Sequence, residues 1–221
     1  MVARCYQGID FSINSDFTAV TYLIVVDDKL DTGGVRPKYY FKTHYYLPKD
    51  SIEGNGVPNL DIDLVKMWVS NKYVKLLDGN VIDHKLLLED ILRELTHLDK
   101  RVFYSYYDPN KAYDWSARCR EHDLFNKDSV QPMSQSADFY TSVIADFNKL
   151  LKQGDVFIED SPVTRYCFRN AVLKAVDLYK ETFVITKEGQ KNKIDGVQSM
   201  LMALKASQDA PYIQWWAPRI F

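Results

Sequence analysis

The sequence has few cysteines and no long apolar run. Its three cysteines, Cys5, Cys119 and Cys167, are widely spaced in 221 residues and form no C-x-x-C pair, so neither a disulfide framework nor a zinc site is indicated. No apolar run reaches the ~18 residues that a membrane-spanning helix needs, and the N-terminus lacks the pattern of a signal peptide. These absences predict a soluble, intracellular chain with reduced thiols.

The sequence also lacks an excess of charge of either sign. Its 28 Lys and Arg residues against 30 Asp and Glu residues give a formal net charge of −2 at pH 7, so no overall basic field points to nucleic acid. Binding to DNA would therefore need a local basic patch. The histidines have no metal-binding spacing and are expected to be surface or half-buried residues: His44, His84, His97 and His122.

The elements that the pattern predicts are those of one large α/β domain or two small ones. Stretches rich in Val, Ile, Thr and Tyr predict an antiparallel meander of three strands at 4–10, 17–27 and 39–46. After a loop at 49–59, helices are expected at 64–71, 83–98, 111–121, 136–153, shortly after residue 162, and at 194–207. Further strands are expected at 102–107, 129–132, 156–158, 172–176 and 183–186. This order predicts a mixed sheet with helices on its faces.

Three aspartates stand at the ends of these elements. Asp10 and Asp108 each close a strand, and Asp195 opens the last helix. In open α/β sheets, sites gather at the carboxyl ends of strands. A fold that gathered the three carboxylates would concentrate negative charge, which divalent cations neutralise. Such paired cations are the usual apparatus for hydrolysing a phosphodiester.

Each aspartate also has an ordinary structural interpretation. An Asp after a strand can simply start a turn, as in Asp108-Pro109, and an Asp at a helix start is usually a cap. These interpretations explain any one aspartate well, but the ordered set of three less well. Near Asp10, the small Gly8 and Ser12 would let a large anion approach the backbone. Asp16 is interpreted as a cap of the hairpin, as a residue that orients Ser12, or as an accessory metal ligand.

The motifs around these aspartates resemble the nuclease domain of the large terminase subunit of tailed bacteriophages. In order they are GIDFS at 8–12 with DFTA at 16–19, YYDPN at 106–110, and KIDGVQSMLMAL at 193–204. The resemblance extends from residue 8 to residue 206. It implies a ribonuclease H-like fold and metal-dependent cleavage of concatemeric double-stranded DNA during viral genome packaging. By motif match, Asp10, Asp108 and Asp195 would hold two Mg²⁺ or Mn²⁺ ions, with Asp16 and Ser12 as possible accessory residues.

The resemblance also implies a separate motor domain and several partners. Full-length relatives carry an N-terminal packaging ATPase, but this sequence has no G-x-x-x-x-G-K-[ST] phosphate loop. Residues 1–221 are therefore expected to form a single nuclease domain without the motor. The implied partners are double-stranded DNA, the terminase ATPase domain and small subunit, and the portal protein, in the host cytoplasm and without a membrane. Lys191 and Lys193, which adjoin Asp195, are the expected DNA contacts.

Two alternatives stay open at this point. The first is a non-catalytic domain of the same fold that docks to DNA or to a portal protein. The second is a nucleotide-binding domain of the sugar-kinase and actin type, in which carboxylates hold a metal–nucleotide complex. That type needs glycine-rich phosphate loops and usually two copies of the fold, and neither is found in this sequence.

Overall fold

A computed structural model describes most of the chain. The residues described are 3–12, 17–30, 33–53, 60–112, 114–126, 128–134, 136–177, 179, 181–189 and 192–210. The expected loop at 49–59 falls partly outside these residues. None of the helices within the described ranges is long and apolar enough to cross a membrane.

The first three strands form the predicted antiparallel meander. They are β1 (Ala3–Asp10), β2 (Thr18–Lys29) and β3 (Val35–Pro48). Their register sets Asp10 opposite Ala19, and Ala19 opposite Tyr45. Directly opposed residues of antiparallel strands share one face of the sheet, so these three side chains form a row across it.

Four further strands complete a seven-stranded mixed sheet. They are β4 (Val74–Leu77), β5 (Val102–Tyr107), β6 (Val130–Pro132) and β7 (Val156–Ile158). The order is β4-β3-β2-β1-β5-β6, with β7 also paired to β3. The meander flanked by parallel β5 and β6 is the ribonuclease H-like arrangement, so the expected fold class is confirmed. Because β1 and β5 are parallel, their carboxyl ends meet at one edge of the sheet.

Helices cover both faces of this sheet. They are α1 (Asp50–Glu53), α2 (Ile62–Ser70), α3 (His84–His97), α4 (Trp115–Cys119), α5 (Ala137–Gln153), α6 (Pro162–Asn170) and α7 (Asp195–Asp209). On one face, α3 packs against the side of β1 that carries Ile9. On the other face, α5 and α7 pack against the side that carries Tyr6. The candidate site residues lie at the edge of this second layer.

Local signals in the sequence account for most helix ends. Asp61 and Asp83 cap α2 and α3, because their Oδ1 atoms accept hydrogen bonds from backbone N–H groups of the first turn. Gly154 ends α5 in the left-handed conformation, at φ 69°, where a residue without Cβ is favoured. Ser136 and Ser161 likewise cap α5 and α6.

The structure corrects the prediction in three places. The helix expected at 111–121 is only the five-residue α4, preceded by a short 3₁₀ helix at Pro109–Lys111. Neither α1 nor β4 was predicted, because four residues are too few to show a helical or strand period. The two strands expected after α6 do form, as β8 (Ala171–Asp177) and β9 (Thr182–Lys187), but they make a separate two-stranded sheet.

Candidate active site

Asp10 and Asp108 stand side by side at the ends of neighbouring strands. Ile9 is in register with Tyr107 in the parallel pair β1 and β5, and the Asp108 N–H donates to the Ile9 carbonyl at 3.0 Å. Side chains alternate along a strand, so Asp10 shares the face of Gly8, which α7 covers. Both aspartates are half-buried. The sheet therefore supplies two carboxylates at one edge, as the sequence predicted.

Asp108 also has the structural role that its sequence context allows. Its Oδ1 accepts a hydrogen bond from the Asn110 N–H at 3.0 Å and caps the short 3₁₀ helix that follows. A carboxylate has two oxygens and about four acceptor sites, so this bond occupies only part of its capacity. The turn therefore fixes the direction of the Asp108 side chain and does not exclude a second role for it.

Helix α7 crosses β1 at Gly8, with its backbone against that of the strand. A Cβ atom at Gly8 would lie 2.1 Å from the Ser199 carbonyl oxygen and 2.4 Å from the Ala203 nitrogen. Both are backbone atoms of a helix, which cannot move aside locally. Gly8 therefore leaves room for the backbone of α7 and not for an anion, contrary to the expectation from sequence.

Buried hydroxyl groups fix α7 on the neighbouring strands. The Thr21 Oγ1 lies 2.7 Å from the Ser199 Oγ and 2.8 Å from the Thr43 Oγ1. The Ser199 hydroxyl donates to the Gly196 carbonyl at 3.0 Å. Thr21 and Thr43 come from positions with no functional signal in the sequence, and together with Ser199 and Gly196 they help to set where the first turn of α7 lies.

Asp195 is the first residue of α7 and is buried, with 8% of its surface exposed. The N-cap position belongs to Ile194, whose side chain makes no capping hydrogen bond. Asp195 is therefore not the N-cap that the ordinary interpretation would make it. A negative charge in the first helical turn is favoured by the helix dipole.

Asp10 and Asp195 act on the same buried thiol. Burial raises the pKa of Cys167 to about 12, and the carboxylates of Asp195 and Asp10 raise it in the same direction. The Gly196 N–H and the Tyr45 hydroxyl lower the pKa of this thiol by hydrogen bonding. Strand β1 and helix α7 thus bring their aspartates into the electrostatic range of one side chain on α6.

A complete metal-binding group is not seen in the part of the chain that the structure describes. Within the described ranges, no three His, Cys, Asp or Glu side chains are grouped so that they could hold a metal ion. Asp16, the possible accessory ligand, lies outside those ranges. The convergence of Asp10, Asp108 and Asp195 on two ions stays a prediction.

The other expected site residues have mixed outcomes. Ser12 is buried, and its backbone N–H donates to the Thr18 Oγ1 at 2.9 Å. Lys193 is also buried, with 3% of its surface exposed; burial lowers its pKa, and the Asp195 carboxylate acts in the opposite direction. Contact of Lys193 with DNA stays a prediction and would require its segment to open. Lys191 lies outside the described residues.

Sequence reasoning missed two residues next to Asp195. Tyr45 and Thr164 come from β3 and α6, and the Tyr45 hydroxyl lies 2.9 Å from the Thr164 Oγ1. Both are buried, and neither belongs to a motif. Only a prediction of which strand and helix meet over α7 could have found them. The histidines are surface or half-buried, as expected; His84, for example, packs on Phe11 with ring centroids 4.9 Å apart.

Comparison with known proteins gives a consistent result. A family model described as "Terminase large subunit, endonuclease domain" matches residues 3–210. The chain is 25% identical over 204 residues to Protein YmfN of Escherichia coli (strain K12), which covers 90% of this chain and 42% of that protein. It is 26% identical over 208 residues to the terminase large subunit of Lactococcus phage SK1, covering 91% of this chain and 35% of that protein.

A solved structure shows the same fold. The crystal structure of the HK97 bacteriophage large terminase matches 93% of this chain and 40% of its own chain, with a TM-score of 0.72 and 19% identity. The chain thus spans less than half the length of these relatives. Since the family model matches nearly all of the described residues, the chain belongs to the family of terminase large subunit endonuclease domains.

Proposed function

We propose that this domain is a metal-dependent endonuclease that cuts concatemeric double-stranded DNA during viral genome packaging. The observation that carries the proposal is the placement of Asp10 and Asp108 at adjacent strand ends, with Asp195 at the start of the helix that crosses β1. Family membership supports a nuclease. The requirement for metal and the cleavage itself are what the experiment below tests.

The donor chemistry at this edge fits hard divalent cations. The candidate ligands are carboxylate oxygens, which Mg²⁺ and Mn²⁺ prefer over nitrogen or sulfur donors. In our proposal, Asp10, Asp108 and Asp195 would together hold two such ions. Bound ions of this kind lower the pKa of water and stabilise a departing oxygen.

The protein's own residues prepare these carboxylates. The hydrogen bond from Asn110 orients Asp108, and packing of α7 on Gly8 sets the position of Asp195. Lys193 is buried near Asp195, and its positive charge partly compensates that of the carboxylate. Close carboxylates disfavour one another's ionisation. A nearby ammonium therefore reduces the repulsion at the acidic edge, the strand and helix ends that carry Asp10, Asp108 and Asp195, before any cation binds.

The wider role rests on the longer relatives. The curated proteins that this chain matches are more than twice its matched length. We therefore propose that the domain works as part of a larger terminase, with an ATPase domain, a small subunit and a portal protein as partners, in the host cytoplasm. Most contacts with DNA would go to phosphates, which gives little sequence preference.

The test is a plasmid-cleavage assay with Mn²⁺, with Mg²⁺ and with EDTA. Purified protein should convert supercoiled plasmid to nicked and linear forms with a divalent cation and not with EDTA. Asp10→Asn, Asp108→Asn and Asp195→Asn should each reduce the rate by roughly 100-fold or more, because even residues that only support metal ligands cost about 10–100-fold. Low salt favours the assay, since contacts with phosphates weaken as salt rises.

A matched control separates loss of a ligand from loss of charge. Asp28 is exposed near the far end of β2, away from Asp10, so Asp28→Asn should cleave like the parent protein. Asp108→Asn keeps an oxygen that can accept from Asn110, so its fold should survive. Cleavage that persists in EDTA, or that survives Asp10→Asn, would contradict the proposal.

One observation favours a second candidate, a non-catalytic docking domain of the same fold. Over the described ranges, no three acidic, histidine or cysteine side chains are grouped for a metal ion. If this candidate is right, the protein will bind DNA or a portal protein but will not cleave plasmid with either cation. A metal-induced rise in melting temperature would also be absent, because nothing would bind the ion in the folded state.

A further inference from the structure

We propose that Tyr45 is a positioning residue for the reaction: its ring and hydroxyl fix the first turn of α7 and thereby hold Asp195 in place. This inference rests on the proposed nuclease function. It assigns a role to a residue that lies in no acidic motif, on a strand two positions across the sheet from β1.

The closest contact is between Tyr45 and Gly196, the residue after Asp195. A Cβ atom at Gly196 would lie 2.1 Å from the Tyr45 hydroxyl oxygen and 2.9 Å from two ring carbons. The ring therefore rests directly on the helix backbone at its first turn. Glycine at 196 is required by this approach, and the approach leaves the turn little freedom to shift.

Tyr45 is itself held firmly. It is 1% exposed, and the Phe17 ring packs against it edge-on, with centroids 5.7 Å apart. Its hydroxyl lies 2.9 Å from the Thr164 Oγ1 and also hydrogen-bonds the Cys167 sulfur. Because Thr164 and Cys167 belong to α6, the tyrosine ties β3, α6 and α7 together at one point.

The start of α7 depends on such contacts. The side chain of the N-cap residue, Ile194, makes no capping hydrogen bond, so packing contributes to the position of this helix end. Tyr45 lies in the same row of the sheet as Ala19 and Asp10. With strands ~4.8 Å apart, the Cα atoms of Tyr45 and Asp10 are about 10 Å apart. A shift of the tyrosine would therefore move Asp195 relative to Asp10.

The experiment compares two hydroxyl deletions in neighbouring buried tyrosines. Tyr45→Phe removes the hydroxyl beside Gly196. Tyr46→Phe makes the same chemical change on the opposite face, where the hydroxyl donates to Asp90 at 2.8 Å. For each variant we measure plasmid cleavage against Mn²⁺ concentration, together with the melting temperature without metal.

The expected result is a change specific to Tyr45→Phe. Its Mn²⁺ concentration for half-maximal cleavage should rise by about tenfold, the range seen when support for a metal ligand is removed. Tyr46→Phe should keep the half-maximal Mn²⁺ concentration of the parent protein, even if its melting temperature falls as much as that of Tyr45→Phe. Gly196→Ala, which pushes the turn away from the ring, should show the same rise as Tyr45→Phe.

The outcomes distinguish the two proposals. If the parent protein cleaves with Mn²⁺ and Tyr45→Phe has the same half-maximal concentration as Tyr46→Phe, the positioning role is wrong and the nuclease function stands. If the parent protein fails to cleave with either cation, the nuclease function is wrong and the positioning role falls with it.

Discussion

Gly8 determines how closely α7 approaches the sheet. The residue has an ordinary strand conformation, and its need for glycine comes from the close approach of α7, chiefly of its backbone. The acidic residues could be identified from the sequence because each carboxylate stands in a recognisable local pattern, at the end of a strand or the start of a helix. It could not display the function of Gly8 or Tyr45, because their partners are distant in sequence and only the packed structure brings them together.

The first prediction at this scale concerns Gly8→Ala. The added methyl group would meet the Ser199 carbonyl oxygen at 2.1 Å, so we expect the free energy of unfolding to fall by about 2–3 kcal/mol, as for other overpacked cores. Urea denaturation measures this loss. Gly33→Ala is the control: its φ is +83° with open space around it, so it should cost only the backbone strain of about 1 kcal/mol. Equal losses would contradict the packing argument.

At the scale of elements, β7 pairs with β3 and is also anchored to it through the residue before the strand, Asp155. Asp155 is 3% exposed and accepts hydrogen bonds from Arg36 at 2.9 Å and Lys38 at 2.7 Å. Its carbonyl also accepts from the Tyr39 N–H at 2.8 Å. A strand of three residues could be predicted at 156–158 from its apolar run, but its pairing with β3 could not, because that depends on these distant cations.

The second prediction is that Asp155→Asn weakens this attachment in a pH-dependent way. Burial alone would raise the pKa of Asp155, but hydrogen bonds from Lys38 and Arg36 outweigh it and hold the pKa below its usual value. The carboxylate therefore stabilises the fold above about pH 4, the unfolded value, and loses that effect as the pH falls through the lowered pKa.

Urea unfolding at several pH values tests this prediction. At pH 7, Asp155→Asn should lower the free energy of unfolding by about 1–3 kcal/mol, the range for hydrogen bonds to charged groups. The difference between parent and variant should shrink as the pH falls below about 4. A difference that stays constant down to pH 2 would show that the charge of Asp155 is not its source.

For the whole molecule, a polar network lies between α3 and the sheet. The Lys75 Nζ donates to the His44 Nδ1 at 3.1 Å and to Asp90 at 2.7 Å, and the His44 Nε2 lies 3.7 Å from Glu94. Burial, with a smaller contribution from the Lys75 ammonium, lowers the pKa of His44 to about 4, although Glu94 acts in the opposite direction. His44 is therefore neutral in the folded protein at pH 7.

This network predicts how the whole domain responds to mild acid. Between about pH 6.5 and pH 4 the unfolded chain binds a proton at His44 and the folded chain does not, so stability falls as the pH falls. The loss should be on the order of 3 kcal/mol over this range. In His44→Gln, which cannot titrate, the free energy of unfolding measured by urea should fall less steeply with pH. An unchanged slope would place the titrating group elsewhere.

The antiparallel meander and the mixed sheet could be predicted because three strands followed by alternating strands and helices permit few topologies. The predicted mixed sheet, the adjacency of Asp10 and Asp108, and the position of Asp195 at the start of the last helix agree with the structure. The attachment of β4 and β7 to the same side of β3 was beyond prediction, because each strand is too short to specify its own partner.

The contact between α7 and the meander joins residues that the ribosome makes far apart in time. Thr21 and Ser199 are 178 positions apart in sequence, and Asp195 belongs to the last helix. A nascent chain can complete its first three strands while the third carboxylate has not yet been synthesised. The three proposed ligands are therefore present together only after α7 has been synthesised, and a nascent chain that stops before α7 carries the meander but not the complete set.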